Sequence, residues 1–283
     1  MTGTQANVRY DSGGQAYPEW LYDVGETASL AADLGAIGDA EVADYRERGF
    51  VAVGRGLSAS EVAAAVDGLL AVSAPEAGAD IQYEAWAAGR IDTLTPEERL
   101  DVTRKFMGFA DRDARLAAVA HHPAILAVVG RLLGGIPHMF QDMALLKPPG
   151  AGREKPWHQD NAFFHMAPGT PIVGVWIALD AATPDNGCMR VIPGSHREGP
   201  VRHARLRDLQ ICDRDVSVPR AVSVPLPAGG LMLFDGLLQH GTPANRTSTR
   251  RRALQFHYSL AGVPQTSDAQ HRATFGWVDG SEC

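Results

Sequence analysis

The sequence predicts a mainly β fold, a sandwich or barrel, supported by a helical first half. Two observations carry this. From residue 139 onward, short β-favouring stretches are separated by Pro/Gly turns: FQDMALLKPPG, TPIVGVWIALD, MRVIPGSH, AVSVPLPAGG, LMLFDG and RRALQFHYSL. Before that point apolar residues recur at helical intervals, and no strand–helix–strand rhythm suggests a doubly wound sheet.

Taken in order, residues 1–14 (MTGTQANVRYDSGG) predict a flexible tail and lack the apolar stretch of a secretory leader. DAEVADYRERG predicts a short helix from Asp39, and FVAVGRG a short strand over 50–56. Ser58 precedes Glu61 at capping-box spacing, and LSASEVAAAVDGLLAVS carries a helix onward. Residues 95–135 read as mostly helical, with Pro96 after a cap, a second start at HHPAILAVVGRLLGG and two glycines as a stop. Helical support therefore covers about 39–135 and the β core about 139–262. A polar insertion, about 195–222, lies within an arginine-rich stretch: seven arginines against four acidic residues over 190–220. It reads as a solvated face or as a binding loop between strands. One domain accounts for residues 1–283.

With 33 Asp plus Glu against 26 Lys plus Arg, the net charge is -7, so an electrostatic grip on nucleic acid or an anionic membrane is not expected. No run of 18 apolar residues is present to span a bilayer. Cys188, Cys212 and Cys283 are an odd set without paired spacing, which argues against a disulfide scaffold. The expectation is a soluble cytoplasmic protein acting on a small molecule, without an obligate protein partner. Only three lysines occur, Lys105, Lys147 and Lys155, so the place of each is informative.

The chemistry concentrates in WHQDNAFF. His158 and Asp160 are two residues apart, so on a strand they share a face. With His240 from FDGLLQHG they make two imidazoles and one carboxylate, the donor set of non-haem Fe(II) oxygenases, which leaves positions open for co-substrate and O₂. Along RRALQFHYS, Arg251, Ala253, Gln255 and His257 share one face, and Arg252, Leu254, Phe256 and Tyr258 the other. The first face suits a barrel interior in which a guanidinium fork receives a carboxylate. Gly174, Trp176 and Ala178 likewise face away from Val173, Val175, Ile177 and Leu179, while Gln141, Met143, Leu145 and Lys147 share a face of FQDMALLK.

These motifs, KPPG and WHQDNAFF, then GVWIALDAATPDNGCMRVIPGSH, AGGLMLFDGLLQHG and NRTSTRRA, resemble the phytanoyl-CoA dioxygenase family of Fe(II)/2-oxoglutarate oxygenases. The resemblance implies a double-stranded β-helix, or cupin-like jelly-roll barrel, with iron on His158, Asp160 and His240. It places the distal carboxylate of 2-oxoglutarate on Arg251 and sets Gln141, Lys147, Gln159, Trp176 and Gly187 around the co-substrate or metal. Asp at position 160 disfavours the halogenating variants, which carry a small residue there. The implied reaction uses O₂, releases succinate and CO₂, and oxidises an unactivated C–H, with hydroxylation first and desaturation or ring closure as alternatives.

The substrate reading leans toward a specialised small molecule, with Phe163, Phe164, His165 and Met166 at the mouth. An acyl-CoA is the alternative, its phosphates meeting Arg202, Arg205 and Arg207. Metal-dependent hydrolysis and a cupin-like protein that binds without turnover are the rival classes; neither makes special use of Arg251 and the three ligand candidates together.

Overall fold

Alternation along the strands sorts the apolar residues between two cores. The computed structural model describes residues 8–11, 16–167, 169–276, 278–280 and 283. In it a nine-stranded sheet runs, in spatial order, through Val8–Asp11, Asp80–Glu84, Thr103–Met107, His138–Lys147, Arg251–Ser259, Val173–Ala178, Leu231–Asp235, Phe50–Arg55 and Ala31–Asp33. A second sheet of five strands runs Glu26–Thr27, Val222–Val224, Met189–Val191, His240–Thr242 and Lys155–His158. One face of the large sheet (Val175, Ile177, Leu233, Leu254, Phe256) packs on helices. The other (Ala52, Trp176, Ala178, Phe234, Ala253) meets Met189, Val191, Val222 and Val224 of the small sheet. The two-residue period predicted for Val173–Ala178 and Arg251–Ser259 thus separates the helix side from the interior between the sheets.

The helices cover the outer face of the large sheet. Asp39–Arg48 ends at Gly49, whose φ of 83° needs no Cβ penalty. Ala59–Val72 begins with the capping box of Ser58 and Glu61, and Pro96–Val102 with that of Thr95 and Glu98. Ala114–Leu133 reaches a mean hydropathy of 1.6, enough by length and composition for a membrane span. Here it is two helices, Ala114–Ala120 and Pro123–Leu133, whose Leu116, Ile125 and Val129 are wholly buried in the core.

Four expectations are corrected. The two sheets are stacked without strand pairing between them, so hydrogen bonds do not close a barrel among the described residues. The first half is mixed: Asp80–Glu84 and Thr103–Met107 are strands that extend the large sheet beside His138–Lys147. Of the expected tail, Val8–Asp11 pairs in parallel with Asp80–Glu84 and the rest lies outside the described residues. The cysteines are not all free either: Cys212 and Cys283 form a disulfide 71 residues apart, while Cys188 is free and buried. Spacing conceals that pair because a small third sheet brings the ends together, Val278–Asp279 running parallel to Ala204–Arg205.

Candidate metal centre

His158 and His240 are direct partners across the antiparallel pair Lys155–His158 and His240–Thr242, which puts their rings 4.2 Å apart. Each ring is fixed through Nδ1, to the carbonyl of Pro156 at 2.7 Å and of Leu238 at 2.9 Å. A backbone carbonyl only accepts, so Nδ1 carries the proton and Nε2 presents its lone pair inward, the form that ligates metals. Burial, with His158 next to it, holds the His240 pKa down to about 3, which keeps that imidazole neutral.

Asp160 arrives differently from the expectation. The strand ends at His158, and Asp160 opens a 3-10 turn, Asp160–Phe163, so the shared strand face does not exist. The turn still brings the carboxylate to the same point: Oδ1 lies 3.2 Å from Nε2 of His158 and 3.6 Å from Nε2 of His240. Burial alone would raise the Asp160 carboxyl; the histidines packed around it, His240, His257 and His158, carry it well below the usual carboxylate range. One ligand atom from each of His158, Asp160 and His240 falls within 4.8 Å of the others, and all three residues are buried. Two imidazoles with Nε2 turned inward and an ionised carboxylate fit a borderline divalent ion such as Fe(II).

This constellation lines a cavity of about 220 Å³. Arg251 lines it too, 2% exposed, with its guanidinium 5.4 Å from the Trp176 ring centroid and one donated bond to the Leu145 carbonyl. Its Nε is buried without a hydrogen-bond partner among the described residues, and so are Oε1 of Gln141 and Oγ1 of Thr242. Burial lowers the Arg251 pKa to about 10, leaving it a cation at neutral pH. A buried cation without a carboxylate partner is costly unless a ligand supplies the anion.

The other expected residues divide. Gln141, Lys147, Trp176, Phe163 and Phe164 line the cavity. The Lys147 ammonium donates to the carbonyls of Arg153 and Pro243, and burial, with Arg251 and Arg104 nearby, pushes its pKa well below the ordinary lysine value. Gln159 and Gly187 are not on the cavity. The Gln159 amide donates to the carbonyls of Gly199 and Leu237 and accepts from the Val201 amide, so it ties loops together. Gly187, at φ 95°, leaves room for the Lys147 stem, which a Cβ would meet at 2.8 Å. His165 stacks on His271 and pairs with Asp268, and Met166 lines a separate cavity of about 250 Å³. Arg202 and Arg205 are exposed and off the main cavity, and Arg207 spends its guanidinium on Glu154 and Asp213.

Sequence reasoning missed Thr242 and Lys105, both on the cavity. Thr242 stands two residues after His240 on a strand, so the face rule applied to Arg251 would have found it. All three lysines of the chain line this one cavity; Lys105 was hidden because its segment read as helix.

Comparison with known proteins agrees with the geometry. The family model for phytanoyl-CoA dioxygenase matches residues 45–253. A zebrafish (Danio rerio) phytanoyl-CoA dioxygenase domain-containing protein 1 is 33% identical over 147 residues, 49% of this chain and 50% of the relative. The chain therefore spans about half the length of that curated relative. The crystal structure of EvdO2 from Micromonospora carbonacea var. aurantiaca complexed with 2-oxoglutarate aligns with a TM-score of 0.66 at 25% identity, covering 85% of this chain and 98% of that one. The carbocyclase SnoK from nogalamycin biosynthesis shares the fold, with a TM-score of 0.65 at 23% identity over 86% of this chain and 92% of that one. The chain belongs to the phytanoyl-CoA dioxygenase family.

Proposed function

We propose that this family member is an Fe(II)- and 2-oxoglutarate-dependent dioxygenase that hydroxylates an unactivated C–H of a small molecule, in specialised metabolism. The observation that carries the reading is the buried Arg251 guanidinium, without a carboxylate partner among the described residues, on the cavity that holds His158, Asp160 and His240. EvdO2, whose crystal structure holds 2-oxoglutarate, shares this fold.

His158, Asp160 and His240 would hold the iron, which when bound with 2-oxoglutarate supplies the oxidising chemistry, with succinate and CO₂ as by-products. Arg251 receives the far carboxylate of the co-substrate, and the Thr242 hydroxyl stands in the same cavity without a hydrogen-bond partner among the described residues. Trp176 backs the guanidinium and fills the space behind it. Lys147 braces the wall by holding the carbonyls of Arg153 and Pro243. Phe163, under the Lys155 ammonium at 4.6 Å, and Phe164 form the apolar side of the substrate space. The acyl-CoA alternative has less support, since Arg207 is neutralised by two carboxylates and the exposed Arg202 and Arg205 do not line the cavity.

Succinate formation under air, with Fe(II) and 2-oxoglutarate, across a panel of small molecules and acyl-CoA thioesters tests the reading. Iron-dependent turnover stimulated by a non-thioester substrate is expected. Stimulation by acyl-CoA alone would overturn the substrate class, and absence of any iron-dependent succinate would overturn the activity.

A further inference from the structure

Phe164 lines two cavities, so a single aromatic ring is a wall common to both. On one side is the metal-centre cavity of about 220 Å³; on the other lies a hollow of about 250 Å³. The ring meets Phe140 and His257 edge-on, at centroid distances of 5.0 and 4.8 Å. Small-molecule pockets usually span about 300–1,000 Å³. The metal-centre cavity alone falls below that range, yet metal, 2-oxoglutarate and substrate must share it. With the hollow behind Phe164 added, the space falls within the range.

The hollow is closed by a part of the chain outside the family match. Residues 45–253 match the family model, whereas Asp268–Phe275 is a helix beyond them. His271, Thr274 and Phe275 are spaced by three and four positions, so they share the helix face that lines the hollow. Backbone bonds from Ala167 to Pro264 and from Thr266 to His165, both 2.9 Å, fasten the approach to this helix onto the segment after the metal-binding turn. No Asp, Glu, Lys or Arg lines the hollow among the described residues. Asn161 and Thr266 do line it, and their Oδ1 and Oγ1 are buried without a hydrogen-bond partner among the described residues. Such oxygens are costly to leave unpaired, and an amide oxygen only accepts.

We propose that this hollow is a substrate subsite for a neutral, ring-bearing group with a hydrogen-bond donor, reached from the metal centre when Phe164 turns aside. This rests on the iron reading above and adds a substrate class to it. A lining without carboxylate, ammonium or guanidinium disfavours carboxylates and phosphates, whose burial needs a partner. Phe164, Phe275 and the His271 ring favour a flat aromatic group. An apolar cavity of about 150 Å³ already admits benzene, so this one has room for a fused pair of rings. A hydroxyl or N–H on that group satisfies the Asn161 or the Thr266 oxygen.

Calorimetry with indole as the probe tests this, with 1-methylindole as the same ring lacking its donor. The wild-type chain is expected to bind indole with a Kd of about 1 mM or below, and 1-methylindole at least about threefold more weakly. Thr274→Phe fills the hollow from the helix and is expected to weaken indole about tenfold or more. If that variant does not fold, Thr274→Leu fills less and is expected to weaken indole at least about threefold. 4-Phenylphenol, two rings in line, probes the shared wall: Phe164→Ala is expected to bind it about tenfold more tightly than the wild type does. Indole that does not bind, that gains nothing from its N–H, or that ignores the Thr274 substitutions would overturn the subsite. A longer probe indifferent to Phe164→Ala would overturn its connection to the metal centre. Fe(II) and 2-oxoglutarate titrated into the same wild-type sample give a separate outcome: failure of both to bind would overturn the iron reading, whatever indole does.

Discussion

Gln159 stands between two metal-ligand candidates in the chain, yet its side chain faces the other way. On an extended segment the residue between two inward neighbours points outward, and here it finds the carbonyls of Gly199 and Leu237 and the amide of Val201. Its own backbone N–H goes to Nε2 of the buried His203, which burial holds neutral, its pKa lowered to about 3. Gln159→Ala is therefore expected to cost about 1–3 kcal/mol of folding stability, in urea unfolding, through buried groups left unpaired. Its affinity for 2-oxoglutarate, once folded, is expected to stay within about threefold of wild type. A selective loss of co-substrate binding at unchanged stability would return Gln159 to the cavity. Arg251 is the opposite case, since a guanidinium on an interior strand face has no solvent to reach and its place on the cavity was legible from the residue type and the two-residue period alone.

At the scale of the element, period and turn chemistry decided what was legible. Arg251–Ser259 and Val173–Ala178 alternate so cleanly that each residue's side was readable, and the two strands pair with Gln255 opposite Trp176. Thr103–Met107 was not readable: TRKFM follows a helical run directly, and only its pairing with Asp80–Glu84 and His138–Lys147 makes it a strand. The same gap concealed Lys105. Asp160 was found for an incomplete reason, because a 3-10 turn delivers it where a strand was expected. Pairing also explains Gly174. A Cβ there would meet the Phe234 ring at 2.4 Å, and that ring packs edge-on against His240 at 4.9 Å. Gly174→Ala is expected to cost about 1–3 kcal/mol by overpacking and to weaken Fe(II) binding through the displaced His240 ring. Thermal unfolding and metal titration measure both, and unchanged metal affinity in a destabilised variant would separate the packing from the site.

Across the whole molecule, the interior between two sheets forms the site and the helices close the far side of the larger sheet. The arginine-rich stretch, read as a solvated face or a binding loop, carries exposed ion pairs of Arg197 with Glu47 and Arg220 with Glu198, and a more buried set joining Arg207 to Glu154 and Asp213. Long-range partners of this kind leave no periodic mark in a sequence, and neither does the Cys212–Cys283 link. That disulfide closes a loop of 71 residues and is expected to contribute about 2–4 kcal/mol in an oxidising medium. Denaturant unfolding with and without reductant, against Cys212→Ser, checks it; identical midpoints would show that the terminus adds nothing to the fold.

The central claim is that one cavity takes both Fe(II) on His158, Asp160 and His240 and 2-oxoglutarate on Arg251. The most direct measurement is an anaerobic titration of Fe(II) followed by 2-oxoglutarate, watching the visible charge-transfer absorption that the chelated pair produces. One Fe(II) per chain and a band that saturates with 2-oxoglutarate are predicted for the wild type. The band should be lost in His240→Ala, and in Arg251→Gln it should need about thirtyfold more 2-oxoglutarate, as removal of a buried charge partner implies. Iron binding without the band, or a band indifferent to Arg251→Gln, would contradict the account.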